Sequence, residues 1–387
     1  MFSLDSELAS RLTERKAQVL YRQRHTKASA EGPEIVIDGQ RYLNFSSNDY
    51  LGLANHPKVR EAFCRGIKRY GVGSGASHLV TGHTEAHHLL EEKLAAFTGR
   101  PRALLFSTGY MANLGVVSAL VKRNDTVIAD KANHASLIDG ALLSRGRLRR
   151  YPHGDVEALA RILGQVDQGH VFVLTDGVFS MDGDLAPLPE IASVCRQRNA
   201  VLIVDDAHGL GVLGPDGQGS VGYFDLQMTD VPILMGTLGK ALGVFGAFVS
   251  GSEALIETLI QEARSYIYTT ALPPAVAEAV LEALKLAQSE NWRRDALVEL
   301  IRYFRGSASS LSLPLMPSET PIQPLILGEA SAALKVSAHL QEHGFWAVPI
   351  RPPTVPEGTA RLRISLTAGH THEHIDRLLD ALHKISQ

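Results

Sequence analysis

Cysteine is scarce in this chain of 387 residues: Cys64 and Cys195 are the only two, far apart and without a Cys-x-x-Cys spacing. That excludes a disulfide framework and a thiolate metal site, and it predicts two core thiols. An excess of one charge is missing too. Lys and Arg number 38 against 41 Asp and Glu, a net charge of -3, so nothing argues for nucleic acid as a partner. No apolar run approaches the roughly 20 residues that a membrane span needs. The opening Met-Phe-Ser-Leu-Asp-Ser-Glu-Leu is acidic and amphipathic where a secretory leader would be basic and then apolar, so the expected location is cytoplasmic. What is present is apolar bulk: at this length, 45% hydrophobic residues bury a large core and predict a major and a minor lobe.

The first 30 residues read as a helix with apolar Leu4, Leu8 and Leu12, ending in the basic cluster Arg22, Arg24 and His25. An extended piece with a turn at Asp38-Gly39 follows, then the polar stretch Asn44-Phe-Ser-Ser-Asn-Asp-Tyr-Leu-Gly-Leu, which has the composition of a segment lining a site. From about residue 56, helix and strand alternate. One helix carries Val59, Phe63 and Ile67, and another carries Ala86, Leu89, Leu90, Leu94 and Phe97. The glycine-rich Gly71-Val-Gly-Ser-Gly-Ala-Ser between them follows no strand and fails the dinucleotide-binding spacing. Buried strands are predicted at 103–106, 126–129, 171–174, 201–204 and 233–235, a pattern that implies a parallel sheet covered on both faces. Beyond residue 290, helices at 292–304, 332–343 and 374–382 enclose strands at 322–327 and 362–366. The expected organisation is an N-terminal helix and hairpin segment (1–50), a large α/β domain (51–290) and a small C-terminal α+β domain (291–387).

Ligands of such sheets sit beyond the carboxyl ends of the strands, and the chemistry-bearing residues fall there. After the first strand, Ser107-Thr-Gly-Tyr-Met-Ala-Asn opens a helix whose N–H groups, with Gly109 and Tyr110, suit a phosphate. After the second, Asp130-Lys-Ala-Asn-His presents His134, able to stack on a flat ring. After the third, Thr175-Asp-Gly-Val-Phe-Ser-Met-Asp-Gly-Asp presents Ser180 and lacks the spacing of a calcium loop. After the fourth, Asp205 needs a cationic partner, which a protonated heterocyclic nitrogen supplies, and His208 can reach the same ring. After the fifth comes Thr237-Leu-Gly-Lys, a lysine in a glycine-bracketed turn. Removed from bulk water, an ammonium loses hydration, which favours the nucleophilic amine that imine chemistry requires. Together these ends predict a phosphorylated, cationic aromatic aldehyde captured by Lys240, which describes pyridoxal 5'-phosphate. His83, His87 and His88 suggest a metal, but only His83 and His87 share a helical face and no third ligand is evident. A solvated helix start, with no metal, is the expectation.

Asp205, His208 and Lys240 in that order resemble the fold-type I pyridoxal-phosphate enzymes. Asn44-Phe-Ser-Ser-Asn-Asp-Tyr-Leu-Gly-Leu, Gly73-Ser-Gly, Val178-Phe-Ser-Met-Asp-Gly-Asp, Asp205-Asp-Ala-His-Gly and Thr237-Leu-Gly-Lys resemble, more closely, the α-oxoamine synthases. Ile350-Arg-Pro-Pro-Thr-Val-Pro-Glu-Gly-Thr-Ala-Arg-Leu-Arg is similar to the members that join L-alanine to a pimeloyl thioester. The resemblance implies a large domain with a mostly parallel sheet, a small α+β domain and pyridoxal phosphate on Lys240 as a Schiff base. It implies Asp205 on the ring nitrogen and His134 stacked on the ring. Ser180 and His208 fall to the phenolic edge, and Gly109, Tyr110 and Thr237 to the cofactor cup. Arg22, Asn48, His134, Thr354 and Arg363 become substrate positions, Arg363 being preferred over Arg361 for the amino acid carboxylate. Tyr268-Thr-Thr, with Thr269 and Thr270, resembles the segment by which a second subunit reaches the phosphate, implying a homodimer with composite sites. Three positions depart from the pattern: Asp176 stands in place of glutamate, Gly154 of asparagine and Leu210 of threonine. A relative using glycine or serine with another acyl thioester remains an alternative. A catalytically silent partner subunit is the remote one, and it would have lost the lysine or the aspartate.

Overall fold

The computed structural model describes residues 3–386; residues 1 and 2, the start of the expected N-terminal helix, and residue 387 lie outside the described residues. In chain order its strands are β1 (Glu34–Ile37), β2 (Gln40–Asn44), β3 (Arg102–Phe106), β4 (Thr126–Asp130), β5 (Arg147–Tyr151), β6 (Val171–Asp176) and β7 (Val201–Asp205). Then come β8 (Ile233–Thr237), β9 (Ala247–Gly251), β10 (Ile322–Gly328), β11 (Phe345–Trp346), β12 (Pro349–Ile350) and β13 (Ala360–Ser365). The chain forms two compact units.

The larger unit, Asn48–Ser180 with Asp184–Ala296, is built on one seven-stranded sheet in the order β3-β9-β8-β7-β6-β4-β5. Only β9 runs against the rest, so the sheet is mostly parallel, as the alternation of elements implies. Every residue of β4, β6 and β9 is buried. Successive side chains of a strand point to opposite faces, and they feed two cores. Val127, Ala129, Phe172, Leu174 and Ile203 join one core. Ile128, Val171, Val173, Leu202 and Val204 join the other. Helices cover both faces, the arrangement that makes continuous apolar strands stable.

Some local expectations shift. Helix Pro57–Tyr70 buries Val59, Ala62 and Gly66 rather than Phe63 and Ile67, because its small-residue side packs on helix Pro274–Ser289. Cys64 lies on the exposed side of that helix, which corrects its reading as a core thiol. Cys195 is buried, and burial pushes its thiol up to about 12.

The second unit takes residues through Ser47, Met181–Gly183 and the chain from Leu297 onward. It holds two three-stranded sheets, β1-β2-β11 and β10-β13-β12, with helices Ala330–Glu342 and His372–Ser386. The first helix spans only Leu4–Ala17 and buries no residue. The chain then turns at Val19, in left-handed backbone (φ 60°). Arg22, Arg24 and His25 therefore follow the helix instead of closing it.

Candidate active site

In the larger unit, β8 ends at Thr237 and the chain doubles back into β9 through a turn that carries Lys240. The turn is closed by its own bonds. Leu238 N–H donates to Gly246 O (2.9 Å), and Gly243 N–H donates to Lys240 O (2.8 Å). The Thr237 hydroxyl donates to Gly246 O (3.1 Å). Gly243 has φ +69°, and a Cβ there would stand 2.3 Å from Ala54 N, so the site admits only glycine. This close approach sets the turn against the Asn48–Ala54 segment, whose own bend is held by Asp49 accepting from Leu53 N–H (2.8 Å) and Ala54 N–H (3.0 Å). Lys240 is half-buried, and its Nζ lies 2.7 Å from His208 Nε2. His208 Nδ1 lies 2.7 Å from the Tyr50 hydroxyl, which donates to Asn48 Oδ1 (3.2 Å).

Asp205 closes β7 and is buried. Its Oδ1 accepts from Ala207 N–H (3.0 Å) and its Oδ2 from the Asn113 amide (2.6 Å). Asn113, on helix Gly109–Leu120, also donates to Ser136 Oγ (2.8 Å), which lies 2.7 Å from His134 Nδ1. One hydrogen-bonded row thus joins the carboxylate to the imidazole. Desolvation holds His134 below its ordinary value, and the Lys240 charge adds to this against the pull of Asp205 and Asp139. Asp176, at the end of β6, accepts from His134 N–H (3.1 Å). Burial, followed by the neighbouring Asp205 charge, pushes Asp176 well above the usual carboxylate range.

Gly109 begins a helix whose N-cap, Thr108, accepts from Met111 N–H (3.2 Å). Tyr110 is exposed and donates to Asp139, a bond that raises its own pKa. Ser180 is half-buried in the loop after β6. Thr269 is half-buried and Thr270 exposed, just after helix Arg264–Ile267.

In the second unit, Arg22 donates to Thr354 Oγ1 (3.1 Å), so two proposed acyl-substrate positions meet. Arg361 and Arg363 are both buried on β13. Arg361 pairs with Asp182, whereas Arg363 donates to Ser365 Oγ (3.0 Å).

The histidine cluster differs from a solvated helix start. His78, absent from the expected set, joins His83 and His87, with one nitrogen of each within 4.8 Å of the others. His87 is fully buried. Its Nδ1 accepts from Thr84 N–H (3.0 Å) and its Nε2 donates to Leu272 O (2.6 Å), so both nitrogens serve the fold. Burial lowers His78 to about 3 and His87 to about 4, leaving both neutral near pH 7.

Sequence reasoning gave Asn113, Ser136 and Tyr50 no role. Asn113 and Ser136 lie inside helices, at positions three and two residues after Tyr110 and His134, where polarity on a buried face was the available signal.

The donor set fits pyridoxal phosphate: an amine for an aldehyde, a buried carboxylate for a ring nitrogen, an imidazole for a ring face and a helix N-terminus for a phosphate. The comparisons agree. Residues 40–382 match the model of the family described as aminotransferase class I and II. The 8-amino-7-oxononanoate synthase of Methylococcus capsulatus is 61% identical over 374 residues, covering 97% of both chains. The enzyme of the same name from Nitrosococcus oceani is 60% identical, covering 96% of this chain and 98% of its own. Among solved structures, serine palmitoyltransferase of S. paucimobilis, with bound pyridoxal phosphate and myriocin, superposes with a TM-score of 0.94. It has 29% identity and covers 99% of this chain and 98% of that one.

Proposed function

We propose, from the premise that the chain belongs to the class I and II aminotransferase family and within it to the 8-amino-7-oxononanoate synthases, that it condenses L-alanine with a pimeloyl thioester. The acyl carbon joins the alanine Cα and the thiol leaves. The alanine carboxyl departs as carbon dioxide, and a proton takes its place to give 8-amino-7-oxononanoate. The observation that carries this reading is the Lys240 amine held 2.7 Å from His208 Nε2, beside strand ends that carry Asp205 and His134.

Pyridoxal phosphate is the cofactor; when bound, it supplies an aldehyde that captures amines and a ring that accepts the electron pair left at Cα. Lys240 holds it and, once alanine takes that place, the freed amine removes the Cα proton. Asp205, oriented by Asn113 and the Ala207 N–H, pairs with the ring nitrogen. His134 covers one ring face, with its orientation set by Ser136. Ser180 and His208 contact the phenolic edge. Gly109, Tyr110 and Thr237 line the phosphate end, together with Thr269 and Thr270 of a second copy. Asn48, Arg22 and Thr354 contact the substrates, and Arg363 pairs with the alanine carboxylate in a bidentate fork.

The working form is a homodimer in the cytoplasm, acting on small molecules. Among the described residues, no helix is long and apolar enough to cross a membrane.

The test is a purified-protein assay with pyridoxal phosphate and L-alanine, glycine or L-serine, each offered with pimeloyl-CoA and with the pimeloyl acyl-carrier-protein thioester. Thiol and carbon dioxide should appear with alanine and at least one pimeloyl donor. Equal turnover with serine or glycine would sink the substrate assignment. Lys240→Ala should lose turnover and the lysine-dependent visible band, and retention of both would refute the role of Lys240.

A further inference from the structure

We propose that Tyr50 is a positioning residue: its hydroxyl, anchored on Asn48, fixes the tautomer and orientation of His208 so that Nε2 serves as proton acceptor for the Lys240 amine. The inference rests on the reading above that Lys240 captures the pyridoxal phosphate aldehyde.

The direction of the hydrogen bonds carries the argument. Asn48 Oδ1 can only accept, so the Tyr50 O–H at 3.2 Å donates to it. With that hydrogen committed, Tyr50 Oη faces His208 Nδ1 at 2.7 Å as an acceptor, and Nδ1 carries the imidazole hydrogen. The lone pair then sits on Nε2, 2.7 Å from Lys240 Nζ. Tyr50 is fully buried and His208 nearly so. The ring is therefore oriented within the protein interior, and an unmatched nitrogen there would be costly.

A nucleophile, a base and a group that orients the base form a recurring arrangement in covalent catalysis. Here the nucleophile is an amine. As its nitrogen bonds to the aldehyde carbon it must shed a proton. His208 Nε2 takes that proton, and the N–H electron pair stays on Nζ. The resulting imidazolium keeps its Nδ1–H on Tyr50 Oη, which stabilises the positive ring. That proton and the second amine hydrogen later leave with the aldehyde oxygen as water, the carbon–oxygen bond breaking as the carbon–nitrogen double bond forms. Tyr50 acts through His208.

The test is stopped-flow capture of pyridoxal phosphate by apoprotein, read as growth of the visible band across pH, in wild type, Tyr50→Phe, His208→Ala and the double variant. Thermal unfolding monitors the fold of each. Tyr50→Phe should slow capture about tenfold near neutral pH, with the deficit shrinking as pH rises and hydroxide can take the proton in place of His208. In the His208→Ala background the same change should have no further effect, because coupled residues fail to add. Asn48→Ala, at a half-buried position, should slow capture in the same pH-dependent way and serves as a second probe should Tyr50→Phe fold poorly. Capture by Tyr50→Phe or Asn48→Ala at the wild-type rate overturns the proposal, as does a deficit independent of pH or one that persists without His208. A wild type that never develops the band overturns the cofactor reading and this proposal together.

Discussion

Arg361 and Arg363 stand two apart on β13, where residues two apart share a face, yet their partners separate them. Arg361 is bound to Asp182 and donates to Thr359 O (3.0 Å), so its fork is committed to a carboxylate of the protein. Arg363 is the other guanidinium of this strand and the proposed partner of the alanine carboxylate. Arg363→Ala should raise KM for alanine on the order of tenfold to a hundredfold, the worth of a charge-assisted bond, with the melting temperature little changed. Arg361→Ala should instead cost about 1–3 kcal/mol in urea unfolding by leaving Asp182 unpaired. The reverse pattern in the two variants would exchange the assignments.

His153 stands beside one departure from the family pattern, Gly154, and its own bonds carry a pH dependence. It bridges Asp130 (3.1 Å) and Asp184 (2.9 Å), and these two hydrogen bonds raise it from 6.5 to about 10. A histidine raised in the folded state stabilises fully below its unfolded value and loses that contribution as pH climbs through the folded one. The melting-temperature gap between wild type and His153→Gln should therefore be largest below pH 6.5 and vanish above about pH 10. The neighbouring Gly154, where asparagine was expected, has φ +67° and donates its N–H to Asp130 Oδ2 (2.9 Å). Both residue types tolerate that backbone, so the departure changes nothing in the bridge. Single-residue roles were readable where a side chain faces a ligand. Roles served through another side chain, as with Asn113, Ser136 and Tyr50, depend on which helix lies opposite and leave no local pattern.

At the scale of elements, the Lys240 turn depends on one close approach. Gly243→Ala places a Cβ 2.3 Å from Ala54 N at φ +69° and should destabilise the protein by about 1–3 kcal/mol, measured by urea unfolding. Because the turn would move off the Asn48–Ala54 segment, pyridoxal phosphate affinity should fall as well, and unchanged values of both would contradict the account. The five predicted strands were legible because their apolar runs are buried: β4, β6, β7 and β8 lie inside the sheet, where burial on both faces demands such runs, and β3, although at one edge, is buried along nearly its whole length. β5 was not: Arg147, Arg149 and Arg150 of this edge strand are exposed, and an edge with one open side needs no apolar sequence. β9, fully buried and antiparallel, was hidden differently. It follows β8 through a nine-residue turn, where a helix-linked parallel strand was the expected rhythm.

At the scale of the whole molecule, the larger unit exposes apolar side chains on two adjoining segments. Val72 is 79% exposed, Val80 73% and Tyr268 71%. Ala271 N–H donates to Ala76 O (3.0 Å) and Ser74 Oγ to Leu272 O (2.6 Å), which ties the segments into one surface. Exposed apolar side chains on segments tied together suit a partner of the same kind. If Thr269 and Thr270 complete the phosphate site of a second copy, each site combines Lys240 from one copy with these threonines from the other. Two defective variants should then repair each other. Lys240→Ala and a Thr269→Ala/Thr270→Asp double variant, each inactive alone, should regain about a quarter of wild-type activity when unfolded together and refolded as a 1:1 mixture. Half of the dimers would then be mixed, and each mixed dimer would hold one site with both parts intact. A site contained within one copy predicts a different result, since every site would carry one defect or the other and the mixture would stay inactive. Capture of the untagged variant on a tag carried by the other checks that mixed dimers have formed before the activity is read.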